Sequence, residues 1–425
     1  MMKYDNYKPS GVDWLGDIPN DWEVKRVKDL SSVISKGTTP STEGEAYTDF
    51  GVKFIKAENI NENGYVSEFP SFFISDKTND LLNRSKLKSN DLLLVIAGAT
   101  TGKIAVIKEE QLPANTNQAV CFIRLKSTEQ FTLKFKYYFI NSSYFQDLVW
   151  LYAVTSAQPN LPMAVLSRFN IFYPSLTEQT QIANYLDTKT QALDKKINLL
   201  TQKANYYKEY RKSLINQTVC KGLDKNVRLK DSNINYINDI PEHWKVERIK
   251  DLFNIGRGRV IGQELLVEEG KYPVYSSQTE NNGCLGYIET YDFDNDLLTW
   301  TTDGANAGTV FRRSGKFNCT NVCGTLIPKR KNLDLNYVVY ALQESATHNK
   351  RIDTNGAKIM NNEMAVINIA FPPLKEQTEI AAYLDAKTKI IDKVVANIDT
   401  QIATLKELRK TLINDAVTGK IKVTV

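Results

Sequence analysis

The chain has 425 residues, 42% hydrophobic and 24% charged, and its 54 Lys plus Arg against 49 Asp plus Glu leave a formal charge of +5. That length exceeds what a single hydrophobic core usually fills, so two or more domains are expected, and so mild a basicity does not by itself argue for nucleic acid binding. No run approaches the roughly 18 to 20 apolar residues that span a bilayer, and the opening residues hold no apolar signal core, so a cytoplasmic protein with no membrane segment is expected.

The first recognisable block is DIPNDWEVKRVKDL, from Asp17 to Leu30. A polar stretch, SKGTTPST, follows from Ser35 to Thr42, and its Lys36, Thr38 and Thr39 suit contact with phosphates and base edges or a solvated loop. GVKFIKAENI (51–60), LLLVIAG (92–98), KIAVI (103–107) and AVCFIRL (119–125) are rich in Val, Ile and Phe and read as strands. GATTGK, Gly98 to Lys103, is one residue short of a phosphate-binding loop, and Ile104 stands where a magnesium-ligating hydroxyl should follow. Thr100, Thr101 and Lys103 are therefore grouped with Asn117 and Gln118 as candidates for phosphates and base edges. The segment from Phe131 to Val149 has the spacing of one amphipathic helix.

After Pro174 the composition turns to helix formers, with no glycine or proline until Gly222. Leu193, Ile197, Leu200, Ala204, Tyr207, Arg211 and Leu214 are spaced in alternating steps of four and three, a seam repeating every seven residues. Tyr206, Tyr207 and Tyr210 suit either that seam or a protein interface.

The second half opens with DIPEHWKVERIKDL, Asp239 to Leu252. IGRGR, Ile255 to Arg259, lacks the third glycine of a dinucleotide loop; Arg257 and Arg259, with Ser277, Gln278, Thr302 and Asn306, form a comparable polar set that suits phosphates and base edges or solvated loops. Arg312, Arg313 and Lys329 to Lys331 suit phosphate contact or solvated surface, and the surface is the simpler reading. A helix is expected from Leu333 to Glu344, and a second long one after Pro372 and Pro373, with Ile391, Val395, Ile398, Ile402, Leu405, Arg409 and Leu412 in the same seam positions. Each rod is about 60 Å for about 40 residues.

The chain is thus written twice. Asp17 and Asp239 open the starting blocks 222 residues apart, whereas TEQTQIANYLDTKTQALDK from Thr177 returns as KEQTEIAAYLDAKTKIIDK from Lys375 at an offset of 198. RKSLINQTV from Arg211 returns as RKTLINDAV from Arg409 at that same offset. The frame is common and the inserts, about 31–173 and 253–371, differ. A weaker echo sets NDLLLVIAGATTG from Asn90 against NDLLTWTTDGANAG from Asn295, with one extra residue in the second, and puts Asn117 opposite Asn321. The expected fold class is α+β: two globular domains separated by two long antiparallel coiled-coil helices with a pseudo-two-fold repeat.

Catalytic sets are missing. The five cysteines are scattered, and Cys319 and Cys323 have no second ligand pair, with His243 and His348 the only histidines, so neither disulfides nor zinc are expected. No adenine-methylating motif, glycine-rich cofactor loop or His-centred nucleophile appears. The pattern is that of a binder, and a non-catalytic scaffold with duplicated ligand-binding domains would also fit it.

GVDWLGDIPNDWEV from Gly11, YPSLTEQTQIANYLD from Tyr173, INDIPEHWKVE from Ile237 and FPPLKEQTEIAAYLD from Phe371, in this order, resemble the conserved regions of type I restriction-modification specificity subunits. The resemblance implies an N-terminal segment and first target recognition domain at 1–173, a first conserved long helix at 174–221, a second target recognition domain at 222–371 and a second long helix at 372–425. It implies that each recognition domain contacts one half of an interrupted, asymmetric double-stranded DNA target, and that the helices set the spacer. Two modification subunits carrying S-adenosylmethionine would methylate adenine N6, and two restriction subunits using ATP and magnesium would cleave; the chain itself would bind no cofactor and no metal. Leu193, Ile197, Leu200, Leu214, Ile391, Val395, Ile398, Ile402, Leu405 and Leu412 would hold the helices together. Pro174, Leu176, Glu178 and Gln179, with Pro372, Leu374, Glu376 and Gln377, would mark the junctions, and Trp22 and Trp244 would anchor the starting blocks.

Overall fold

A strand buried at every position lies at the centre of each half. In the computed structural model, which describes residues 2–61, 64–126, 132–153, 159–353 and 356–423, the chain forms two units: Met1–Leu200 with Thr400–Val425, and Thr201–Asp399. The first unit contains β1 (Ser31–Lys36), β2 (Val52–Ile55), β3 (Phe73–Ile74), β4 (Leu92–Val95), β5 (Ile104–Val106), β6 (Ala114–Thr116) and β7 (Val120–Leu125). One antiparallel sheet has the order β1-β7-β4-β5. A second has the order β3-β2-β6, with β2 and β6 parallel.

Strand β4 shows why its sequence has no polar alternation. Leu92 and Leu94 enter a core with Ile123, Phe135 and Phe139, while Leu93 and Val95 enter another with Val120 and Phe122, so both faces are covered. The expected single helix from Phe131 is instead two, α1 (Leu133–Ile140) and α2 (Ser143–Tyr152), and Phe131 lies outside the described residues. The break is a capping event: Ser142 is extended, and its hydroxyl oxygen accepts from Phe145 N at 3.3 Å while donating to Phe139 O at 2.6 Å. The strand Asn170–Tyr173 pairs with Glu23–Arg26 of the starting block and leads to the long helix α3 (Leu176–Lys221).

The second unit repeats the plan. It contains β8 (Phe253–Arg257), β9 (Tyr272–Tyr275), β10 (Cys284–Ile288), β11 (Phe293–Asp294), β12 (Leu297–Thr301), β13 (Val310–Arg313), β14 (Lys316–Cys319) and β15 (Cys323–Pro328). The sheets run β8-β15-β12-β13 and β10-β9-β14-β11, the latter again with one parallel pair, β9 with β14. A single helix, α4 (Leu335–His348), capped by the Asp334 carboxylate, replaces α1 and α2, and Asn368–Phe371 pairs with Lys245–Arg248 before α5 (Leu374–Val417).

The long helices are fastened to the globular part of each unit by the same bonds. Gln179, wholly buried, accepts from Thr132 N at 2.8 Å and donates to Pro174 O at 2.9 Å. Gln377 accepts from Asp334 N at 2.9 Å and donates to Pro372 O at 2.8 Å. One turn into each domain helix, Tyr138 donates to Asp187 and Tyr340 to Asp385, both at 2.7 Å, and burial pushes the Tyr340 hydroxyl up to about 12. Trp22 and Trp244 are buried, and Trp244 Nε1 donates to Glu376 at 2.9 Å.

Within the first unit Asp194 of α3 pairs with Arg409 of α5, and within the second Arg211 of α3 pairs with Asp392 of α5, so the two long helices meet in each unit. Of the seam residues, Ile391, Ile398 and Leu412 are buried, while Leu193, Ile197, Leu200, Leu214, Val395, Ile402 and Leu405 are half-buried. Leu193 and Leu412 also join the first unit's core, and Leu214 the second's. Tyr206 and Tyr210 are exposed and Tyr207 half-buried.

Candidate nucleic-acid interface

Antiparallel pairing decides which loops meet. The C-terminal end of β1 lies beside the N-terminal end of β7, which lies beside the C-terminal end of β4 and so of the N-terminal end of β5. Lys36 to Thr39, Asn117 and Gln118, and the turn Gly98–Lys103 therefore gather at one end of one sheet. The second unit does the same with Arg257 to Arg259, the turn Thr320–Val322, and the turn Thr302–Thr309.

Close approach holds the first of these loops in place. Gly37 N donates to Asn117 O at 3.0 Å, and a Cβ on Gly37 would lie 1.7 Å from the Thr116 carbonyl oxygen. Gly258 makes the matching close approach, since a Cβ there would lie 1.9 Å from the Cys319 carbonyl oxygen, although its N donates across the turn to Cys323 O at 3.1 Å. Only glycine fits where backbone meets backbone in this way. Lys36 and Thr38 in one unit thereby correspond to Arg257 and Arg259 in the other.

The candidate side chains differ in what they can still offer. In the first unit Thr39 Oγ1 donates to Gln118 Oε1 at 2.6 Å, which leaves the Gln118 amide nitrogen at an exposed edge. Asn117 Oδ1 accepts from Ala119 N at 3.1 Å, so it shapes its own turn. Lys36, Thr38, Thr100 and Lys103 are half-buried at this edge. Thr101 is 4% exposed, and its hydroxyl closes the turn onto Gly98 O at 2.7 Å.

In the second unit Arg257 is exposed and bonds Asn361 Oδ1 at 2.9 Å, while Arg259 is paired with Asp292 at 2.9 Å. Thr302 is 2% exposed; its hydroxyl donates to Val322 O at 2.9 Å, and its N–H to the Ser277 hydroxyl at 3.2 Å. Ser277 in turn bonds Val322 O and so ties the two turns together, while Gln278 bonds Cys284 O within its own loop. Asn306 is exposed and bonds Thr279 at 3.0 Å.

Two expectations are corrected. Arg313 is no surface cation: it is 3% exposed, lies 3.6 Å over the Tyr275 ring and 4.4 Å over Phe311, and donates to Thr299 at 3.2 Å. Burial lowers its pKa, and the aromatic faces offset part of that cost. The register also places Thr320 rather than Asn321 opposite Asn117, because Lys36 pairs with Cys121 where Arg257 pairs with Gly324. The extra residue of the second copy lies at or before Leu297, since Leu92 and Leu298 hold the same place in their sheets.

Among the described residues no group of three or more His, Cys, Asp and Glu could hold a metal ion, and no helix is long and apolar enough to cross a membrane. Two polar sheet ends on one repeated helical frame define a duplicated binding protein. The type I restriction modification DNA specificity domain matches residues 19–204 and 241–403, and the chain belongs to that family. It is the DNA-specificity subunit of a type I restriction-modification complex, the non-catalytic member that recognises target DNA and directs the modification and restriction subunits.

The type I specificity subunit S.MpnORF365P of Mycoplasma pneumoniae is 33% identical over 253 residues, 59% of this chain and 86% of that protein. The fold is similar to a chain from a structure described as the basis of complex assembly and conformational transition of the type I R-M system, with a TM-score of 0.74 and 16% identity, over 95% of this chain and 99% of that one. It is also similar to the HsdS subunit from Thermoanaerobacter tengcongensis, with a TM-score of 0.53 and 16% identity, over 99% and 100% of the two chains.

Proposed function

We propose that the two sheet ends each read one half of a bipartite, asymmetric duplex target, with residues 1–173 and 222–371 as the target recognition domains and the long helices as the spacer element. The observation that carries this reading is the recurrence of one edge geometry, Gly37 against Thr116 and Gly258 against Cys319, dressed with different side chains. A common backbone with unlike polar groups is what two different half-sites require, since sequence is told apart by donors and acceptors at base edges. Lys36, Thr38, Thr39, Thr100, Lys103 and Gln118 face one half, and Arg257, Arg259 and Asn306 the other. Thr101, Asn117, Ser277, Gln278 and Thr302 shape those edges.

In this reading two modification subunits carrying S-adenosylmethionine methylate adenine N6, one on each strand, and restriction subunits use ATP and magnesium to cleave unmodified DNA. The flipped adenine enters the partner's pocket, and this chain determines only which adenine it is. The test is to exchange residues 31–173 for those of a relative, express the chain with its methyltransferase partner and map methylated adenines. One half of the motif should change and the other half and the spacer should stay; a change in both halves, or none, overturns the reading.

A further inference from the structure

One long side chain stands beside the reading edge at the same place in both units. In the first unit the turn Gly98–Lys103 leans on α2. Gln146 Nε2 donates to Gly102 O at 3.0 Å, and Trp150 Nε1 lies 3.5 Å from the point where a Cβ on Gly102 would sit. In the second unit the turn leans on the end of α4, where Ala346 Cβ lies 3.2 Å and Lys350 Cε 3.5 Å from the matching point on Gly308.

The two glycines are true counterparts. Gly102 N donates to Val95 O and Gly308 N to Thr301 O, each at 2.8 Å, and both glycines have positive φ, +93° and +86°. Gln146 to Trp150 and Ala346 to Lys350 are each a step of four residues, the first within α2 and the second running off the end of α4. The offsets of the internal repeat do not pair Trp150 with Lys350, because one unit arrives there by two helices and the other by one.

Trp150 is 47% exposed at the end of α2, next to an exposed Leu151. A large ring left half in water forgoes about 25 cal/mol for each Å² of apolar surface not covered, which a bound partner would recover. Its indole nitrogen can only donate, and the Lys350 ammonium can only donate. The indole has a single donor, too few for a two-point base contact, and the Lys350 ammonium is a compact point charge; both suit an anionic phosphate oxygen, and the indole face suits a deoxyribose.

We propose that Trp150 and Lys350 are equivalent DNA-backbone contacts, one flanking each half-site, that set the register of each sheet end on the duplex. The proposal rests on the reading of those sheet ends as the DNA-contacting edges. Because the same position is neutral in one unit and cationic in the other, it predicts unlike ionic signatures. Lys350 releases a counterion when it meets phosphate; Trp150 does not.

The test uses the full chain with its methyltransferase partner and a duplex carrying the mapped methylation motif, with affinity measured across a salt series. Lys350→Ala should weaken binding about eightfold near 0.1 M salt, equally for the motif and for a duplex with either half scrambled, and should lower the slope of log affinity against log salt by about 1. Trp150→Ala should weaken binding severalfold without changing that slope, Trp150→Phe should fall between, and the methylated motif should stay the same in every variant. Unchanged affinity and slope in Lys350→Ala, or a changed motif in any variant, overturns the proposal. Should Trp150→Ala unfold, Lys350→Ala, beyond the end of α4, still decides it. Failure of the unaltered complex to prefer its motif over scrambled duplex would instead overturn the reading of the edges.

Discussion

Arg211 Nε donates to Asp392 Oδ1 at 2.9 Å and Nη2 to Oδ2 at 3.3 Å, joining the end of one long helix to the start of the other. Its image under the repeat is Arg409 with Asp194, since Arg211 to Arg409 and Asp194 to Asp392 are both steps of 198 residues. Arg409 Nε also stands 2.9 Å from its carboxylate, but outside hydrogen-bond geometry, and it is left without a partner for its proton. One pair is a two-bonded fork, the other a charge contact.

Double-mutant cycles should show that asymmetry. Both pairs are partly exposed, so neither coupling should exceed about 1 kcal/mol. The Arg211–Asp392 coupling should be the larger, since a bidentate guanidinium adds directional bonds to charge. Urea unfolding of the single and double alanine variants gives both values; equal couplings would show that the fork adds nothing.

Gln179 and Gln377 predict a larger effect from a smaller change. Gln179→Ala leaves the Thr132 N–H and the Pro174 carbonyl without their partner inside the joint. Each buried group so stranded costs about 1–3 kcal/mol. Gln179→Glu should also destabilise, since an ionised carboxylate keeps the bond from Thr132 but repels the Pro174 carbonyl. Thermal melting checks the cost, and amide exchange at Thr132 should quicken in the alanine variant; full protection there would refute the clamp.

The frame was legible because it is literal repetition: the helices, their seam and the glutamines at their starts can be read by offset alone. The strands β4, β5 and β7 were legible from their branched and aromatic runs. The break between α1 and α2 was not, because Ser142 prefers bonding to backbone over continuing a helix, and the apolar spacing runs through it unchanged. The parallel pairs β2–β6 and β9–β14 join segments about 60 and 40 residues apart, and periodicity says nothing about such partners. At the edge, the polar clusters were legible but the direction of each hydroxyl was not. Thr101 and Thr302 turn inward because nearby carbonyls capture them.

Lys136 makes a prediction in pH. It sits in α1 with little exposure, and burial lowers its pKa to about 8. Unfolded, a lysine titrates near about 10.4, so between these values the unfolded chain binds more protons and stability rises with pH. Below about 8 both states are charged, and the folded state holds that charge away from water. Lys136→Met should therefore melt higher than the parent at pH 7, with the gap closing towards pH 10. A gap that stays constant across that range would show that charge is not the cause.

Gly37 and Gly258 permit the most local test of the edges. At Gly37 an added methyl would meet the carbonyl oxygen of Thr116 at 1.7 Å and its carbon at 2.2 Å, both backbone atoms that cannot rotate away. Either the end of β1 or the Asn117 turn must move, and such overpacking costs about 1–3 kcal/mol, which a domain of this size should survive. Moving the turn carries Gln118 with it, because Thr39 bonds that side chain. Gly37→Ala should thus keep its fold by circular dichroism, lose at least about tenfold in affinity, a shift of about 1.4 kcal/mol, and blur one half of the methylated motif. Gly258→Ala, facing Cys319 O at 1.9 Å, should blur the other half alone. If either variant blurred both halves, the two edges would not be independent readers, and the correspondence between one edge and one half-site would fail.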